Sequence, residues 1–211
     1  GILPKEISGI IPLQTAINER LTDFILWVSE YYMALPGEVM KAAIPAAVDL
    51  VRSSRPRKKP GSAAGREPEA FPPAELNALQ NDAFTQVKAL FSNHEVVLLR
   101  GVTSSGKTEI YIHLITEQLA RGRQVLYMLP EIALTTQIIE RLQKHFGSAI
   151  GVYHSRLTPV ARQDIWRRAG NGSLGAVLGV RSSLFLPFMD LGLIIVDEEH
   201  DSSYKQYDPA P

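Results

Sequence analysis

Residues 101–108 read Gly101-Val102-Thr103-Ser104-Ser105-Gly106-Lys107-Thr108, between the apolar run Val96-Val97-Leu98-Leu99 and a helix-periodic stretch that starts at Glu109. This is G-x-x-x-x-G-K-T in the strand–loop–helix setting that the motif requires. Glycines let the backbone curl around phosphate oxygens, and amide N–H groups at a helix N-terminus favour anions. Lys107 is then expected to reach the β- and γ-phosphates of a nucleotide, and the Thr108 hydroxyl to ligate Mg2+. The alternative is a glycine-rich turn that only caps a helix, a reading weakened by the flanking strand and helix.

Downstream, further apolar runs fall at Val125-Leu126-Tyr127-Met128-Leu129, Ile150-Gly151-Val152-Tyr153, Ala176-Val177-Leu178 and Leu193-Ile194-Ile195-Val196. Helical patterns over 109–120, 135–145 and 159–168 separate them. Short, continuously apolar strands alternating with helices predict an α/β fold with a parallel sheet covered on both faces. Ligands of such sheets bind beyond the carboxyl ends of the strands, so the loops there are where chemistry is expected.

The last of these runs leads straight into Asp197-Glu198-Glu199-His200. A carboxylate leaving a buried strand beside a phosphate loop is the expected second Mg2+ anchor, which assigns Asp197 that role. Glu198 is placed to orient or deprotonate an attacking water. Taken alone, an acidic quartet is usually a solvated loop; the upstream loop is what makes it a catalytic candidate. Two other segments also follow strands, Pro130-Glu131-Ile132-Ala133-Leu134-Thr135 and Gly179-Val180-Arg181-Ser182-Ser183. Arg181 with its neighbouring hydroxyls could hold a phosphate of a nucleotide or a nucleic acid. A surface ion pair, with a helix cap at Thr135 or Thr136, explains the same residues equally well. The five histidines show no metal-ligand spacing, so no metal beyond Mg2+ is expected, and only His200 is a functional candidate.

Upstream, 51–74 is rich in proline and carries the cluster Arg52, Arg55, Arg57, Lys58 and Lys59, which predicts a solvated linker. Counterion release at phosphates is the sharper reading of the same charges. In 1–50, Leu21, Phe24, Ile25, Val28, Tyr31 and Tyr32 recur at helical spacing; Thr22 is the expected N-cap and Pro36-Gly37 the expected stop. That stripe is expected to be core, and the segment to be part of a domain, mainly helical.

The chain has 211 residues, 45% of them hydrophobic, and no cysteine. Global disorder is excluded by that content, and disulfides and thiolate zinc sites within the chain by the lack of cysteine. No apolar run approaches the length of a membrane span and no signal-peptide pattern opens the chain, so a cytoplasmic protein is expected without a membrane partner. The net charge of zero divides unevenly: −3 over 1–50, +4 over 51–74 and −1 over 75–211. Any nucleic-acid contact therefore rests on a local patch.

With the phosphate loop, the strand-end segments and DEEH in this order, the chain resembles the first RecA-like lobe of superfamily 2 helicases. The strings GVTSSGKTEIY, LPEIALTTQ, YHS, GVRSSLFLPF and LGLIIVDEEHDSSYKQ resemble, more closely, the bacterial replication-restart helicases with a DEAH-type box. The resemblance covers 75–211 almost continuously. It reaches LTDFILWVSEYYMALPGEVMKAAIP (21–45), which is similar to the segment after that family's N-terminal DNA-binding domain.

The resemblance implies an ATP-dependent 3′–5′ DNA helicase of replication restart and primosome assembly. ATP and Mg2+ are the implied cofactors, with single-stranded or forked DNA, the primosome and single-strand-binding proteins as partners. Gly101 to Thr108 match the family's ATP-binding loop, with Ser104 where a glycine is common. Asp197 and Glu198 match its Mg2+-binding and water-activating carboxylates. Leu76-Asn77 and Gln80 resemble the upstream segment where a glutamine can read adenine, and Arg181 and Ser182 the segment laid along single-stranded DNA. Zinc belongs to the family's cysteine cluster, which is not in this chain. The short linker cannot hold the family's winged-helix domain, and the second lobe and its ATP-site arginine are not in the sequence. A lobe truncated after DEEH is expected to bind nucleotide with little turnover. Two other classes stay open: a nucleotide-binding interaction module without helicase action, and another superfamily 2 translocase, which would leave GVRSSLFLPF and YHS unexplained.

Overall fold

The computed structural model describes residues 17–45, 71–102 and 105–205. Thr103 and Ser104 of the phosphate-loop motif, and residues 51–70 of the expected linker with its basic cluster, lie outside the described residues.

Helix α1 (Glu19–Tyr31) starts one turn earlier than Thr22 predicts. Asn18 is the N-cap: its side chain accepts from Leu21 N at 2.8 Å, while the Thr22 hydroxyl donates back to the Asn18 carbonyl. Pro36 does not stop this helix but opens α2 (Pro36–Ala43). A proline suits the first turn, because its φ is preset and the N–H it lacks would have no partner there. The apolar stripe of α1 splits. Leu21, Ile25 and Val28 are buried, whereas Trp27, Tyr31 and Tyr32 remain exposed. Phe24 bridges the two, stacking on Trp27 and meeting the Phe185 ring at 5.6 Å.

Four parallel strands form the sheet: β1 (Gln124–Met128), β2 (Ile150–Tyr153), β3 (Ala176–Gly179) and β4 (Leu191–Val196), in the order β2-β3-β1-β4. The remaining helices are α3 (Ala78–Leu90), α4 (Lys107–Ala120), α5 (Thr136–Phe146) and α6 (Pro159–Gly170). Alternate residues of β1 feed two separate cores. Val125 and Tyr127 pack with Ile112 and Ile115 of α4 and Leu142 and Phe146 of α5. Leu126 and Met128 pack with Trp166 and Ala169 of α6 and with Leu21, Ile25 and Val39 of α1 and α2. A sheet with helices on both faces follows from strands that are apolar on both sides. The first two helices thus share a core with the sheet.

The run Val96–Leu99 forms no strand. Its residues still alternate as an extended chain does: Val97 and Leu99 pack against α3 and α4 with Leu193, while Val96 and Leu98 face outward. What it lacks is a ladder partner. Among the described residues nothing pairs with the outer edge of β4, and a groove of about 310 Å³ separates that edge from 97–101. Periodicity reports which faces are buried but not which backbone lies alongside.

Residues 71–74 carry backbone contacts to the lobe. Phe71 N donates to the Lys144 carbonyl, and the His113 ring meets the Ala74 carbonyl at 2.8 Å.

Candidate functional site

Gly106 caps α4 with φ +83, a left-handed conformation that glycine adopts without cost. A Cβ there would also collide with the Gln80 amide. Gln80 is tied on two sides: its Oε1 accepts from Asn77 N at 2.9 Å, and its Nε2 donates to the Gly106 carbonyl at 3.3 Å. The expected adenine-reading glutamine therefore braces the phosphate loop from α3. Lys107 bends back over the loop, donating through Nζ to the carbonyls of Gly101 at 2.7 Å and Val102 at 3.4 Å. Its ammonium is thus held by the backbone of the first two residues of the motif.

Asp197 continues the ladder beyond β4, its N–H donating to the Met128 carbonyl at 3.0 Å. Its carboxylate is held at both oxygens: Oδ2 accepts from the Tyr127 hydroxyl at 3.0 Å, and Oδ1 from Glu198 N at 3.2 Å. The Tyr204 hydroxyl donates to the Asp197 carbonyl at 2.8 Å. Glu198 has φ +51, strained for a non-glycine residue, and strain of this kind concentrates where a side chain must be aimed. His200 is largely exposed, with its ring nitrogens 3.7 Å from Glu198 and 3.9 Å from Glu199. Gly101, Lys107, Asp197 and Glu198 all line the same groove. The fold brings the two motifs together across a long separation in sequence.

Among the described residues, three phenols lie near the acidic turn. Burial, and then the negative charge of Asp197, push the hydroxyls of Tyr111, Tyr127 and Tyr204 well above the ordinary tyrosine range. In the unfolded chain these groups ionise near pH ~10. The folded state keeps its protons at that pH, so the unfolded state binds fewer and stability falls as pH rises. The melting temperature should therefore hold level up to about pH 9 and decline above pH ~10. Tyr127→Phe should shallow the decline; a melting temperature that rises through this range would contradict the arrangement. No sequence signal marked these tyrosines, since Tyr127 sits inside an apolar run.

No group of three or more His, Cys, Asp or Glu side chains among the described residues could hold a metal by itself. Mg2+ does not need one, because it takes one or two protein oxygens and completes its shell with phosphate and water. Thr108 and Asp197 are hard oxygen donors of that kind.

Arg181 and Ser182 open a 3-10 turn (Arg181–Phe185) directly after β3. They lie at the same carboxyl edge as Asp197, with β1 intervening. Ser182 is exposed and Arg181 partly so. A shallower hollow of about 160 Å³ at that edge is lined by Glu131, Thr136, His154, Ser155 and Arg156. Thr135 caps α5, its hydroxyl accepting from Ile138 N. No helix among the described residues is long and apolar enough to cross a membrane.

A family model described as DEAD/DEAH box helicase matches residues 77–210, and one described as 3′ DNA-binding domain matches residues 3–45. The chain is 40% identical to the replication restart protein PriA of Rickettsia felis over 204 residues, which is 97% of the chain and 30% of that relative. It is 51% identical to the PriA of Haemophilus influenzae over 133 residues, 63% of the chain and 18% of the relative. With the PriA of Bacillus subtilis it shares 44% identity over 136 residues, 64% of the chain and 17% of the relative. The chain thus spans less than a third of the length of these relatives.

Proposed function

Since the chain belongs to the DEAD/DEAH box helicase family, we propose that it supplies the ATP-binding lobe of a replication-restart DNA helicase with 3′–5′ polarity. The observation that carries this reading is the convergence of Lys107 and the Asp197–Glu198 pair on one groove. Bound Mg2+ would neutralise phosphate charge between Thr108 and Asp197. Lys107 exchanges its loop carbonyls for β- and γ-phosphate oxygens, and the loop amides and the α4 N-terminus add fixed partial positive charge. Glu198 accepts the proton of the attacking water. Val102, Thr103, Ser104 and Ser105 belong to the same ATP-binding motif in sequence, and Gln80 would exchange its bond to Gly106 for the base.

Arg181 and Ser182 serve as contacts to single-stranded or forked DNA, one strand away from the acidic turn. Primosome and single-strand-binding proteins are the proposed partners, the cytoplasm the compartment. Closure of two lobes on ATP would couple hydrolysis to movement along DNA, because the phosphate charge stabilises one relative arrangement over another. A lobe by itself should bind nucleotide and turn over slowly.

Titration calorimetry with Mg-ATP tests this reading. Removing a phosphate-directed cation costs about 1.5–3 kcal/mol, so Lys107→Ala should weaken binding by about tenfold or more. Equal affinity of the two proteins, or no binding by a folded parent, would overturn the assignment.

A further inference from the structure

Tyr127 is 1% exposed, yet its hydroxyl reaches across from β1 to a side chain of the acidic turn after β4. The bond it makes is a hydroxyl donating to Asp197 Oδ2 at 3.0 Å. The ring cannot drift: it is clamped edge-on against Tyr111 of α4, centroids 5.5 Å apart, and packs in the core that α4 and α5 share with the sheet. The Thr108 side chain interacts with the same phenol. The other Asp197 oxygen accepts from Glu198 N at 3.2 Å, and the Tyr111 hydroxyl also interacts with this carboxylate. Donors on both oxygens block rotation of the carboxylate.

We propose that Tyr127 is a positioning residue for the metal–nucleotide site: its hydroxyl sets the rotamer of Asp197. This rests on the nucleotide and Mg2+ reading above. A buried phenol is a costly element unless its O–H finds a partner, and here the partner is the carboxylate that must be held still. Groups that hold a metal ligand in this way typically contribute 10–100-fold to metal affinity.

The test is Tyr127→Phe in the full chain, with Mn2+ as a spin-active stand-in for Mg2+. Three quantities are read: Mn2+ affinity in the presence of ADP, ADP affinity in EDTA, and the melting temperature. The expected result is Mn2+ affinity lowered about tenfold, ADP affinity in EDTA unchanged, and a folded protein by its melt. Asp197→Asn serves as a second background, where Tyr127→Phe should have no further effect on Mn2+ affinity. Unchanged Mn2+ affinity in Tyr127→Phe, or penalties that simply add in the double variant, would overturn the proposal. A parent chain whose nucleotide binding is absent or indifferent to Lys107→Ala would instead sink the underlying reading, which keeps the two failures apart. Loss of ADP affinity in EDTA would show Tyr127 to be a general packing element and would also overturn it.

Discussion

Glu198→Gln is expected to leave Mg-ATP affinity within about twofold while lowering ATP turnover in the intact protein at least a hundredfold, the usual range for loss of a general base. The geometry separates the two effects. Asp197, not Glu198, is the carboxylate tied to β1 through Tyr127, so the metal anchor survives the exchange. Glu198 sits in a left-handed turn with φ +51 and lines the groove that Lys107 also lines. Glutamine keeps the shape and much the same backbone strain, but its amide cannot accept the proton of a water nucleophile. Phosphate release, measured beside calorimetry on the same samples, checks both halves. Undiminished turnover would remove Glu198 from the base role and leave the acidic turn as a metal anchor only.

Gln124→Leu is expected to cost about 4 kcal/mol of stability, because it leaves several buried backbone groups without partners at ~1–3 kcal/mol each. Gln124 is buried at the start of β1 and uses its amide completely. Nε2 donates to the carbonyls of Ala169 at 3.0 Å and Leu174 at 2.8 Å, and Oε1 accepts from Met189 N at 2.7 Å and Asp190 N at 3.1 Å. One side chain thus ties the end of α6, the approach to β3 and the approach to β4 to the central strand. For a chain of this size a loss of that order lowers the melting temperature by about 8–16 °C. Scanning calorimetry decides it, and a drop below about 3 °C would mean that water replaces these bonds.

The strings that carry the proposed site are legible in the sequence itself. G-x-x-x-x-G-K-T and DEEH are local strings whose chemistry needs contiguous residues, so a linear reading finds them. The sheet class was legible for a related reason, since burial on both faces writes itself as unbroken apolar runs. The helix start at Asn18 was misread because Asn18 and Thr22 are both good caps, and the choice depends on which turn packs against the sheet. Val96–Leu99 was misread because its apolar run is genuine while its hydrogen-bonding partner is not determined by its own residues.

Local composition and spacing by themselves determined the G-x-x-x-x-G-K-T string, the acidic quartet, and the alternation of apolar runs with helices. Each of these is set by short-range chemistry: backbone freedom at glycine, charge placed beside a strand end, and periodic burial. Only the tertiary structure decided the strand order, the groove that Asp197 and Lys107 both line, the brace from Gln80 to Gly106, and the tie from Gln124 to three separate segments. It alone revealed the phenol of Tyr127 turned onto Asp197. Those features join residues far apart in the chain, and nothing in a residue's immediate neighbours encodes which distant backbone or carboxylate it will meet.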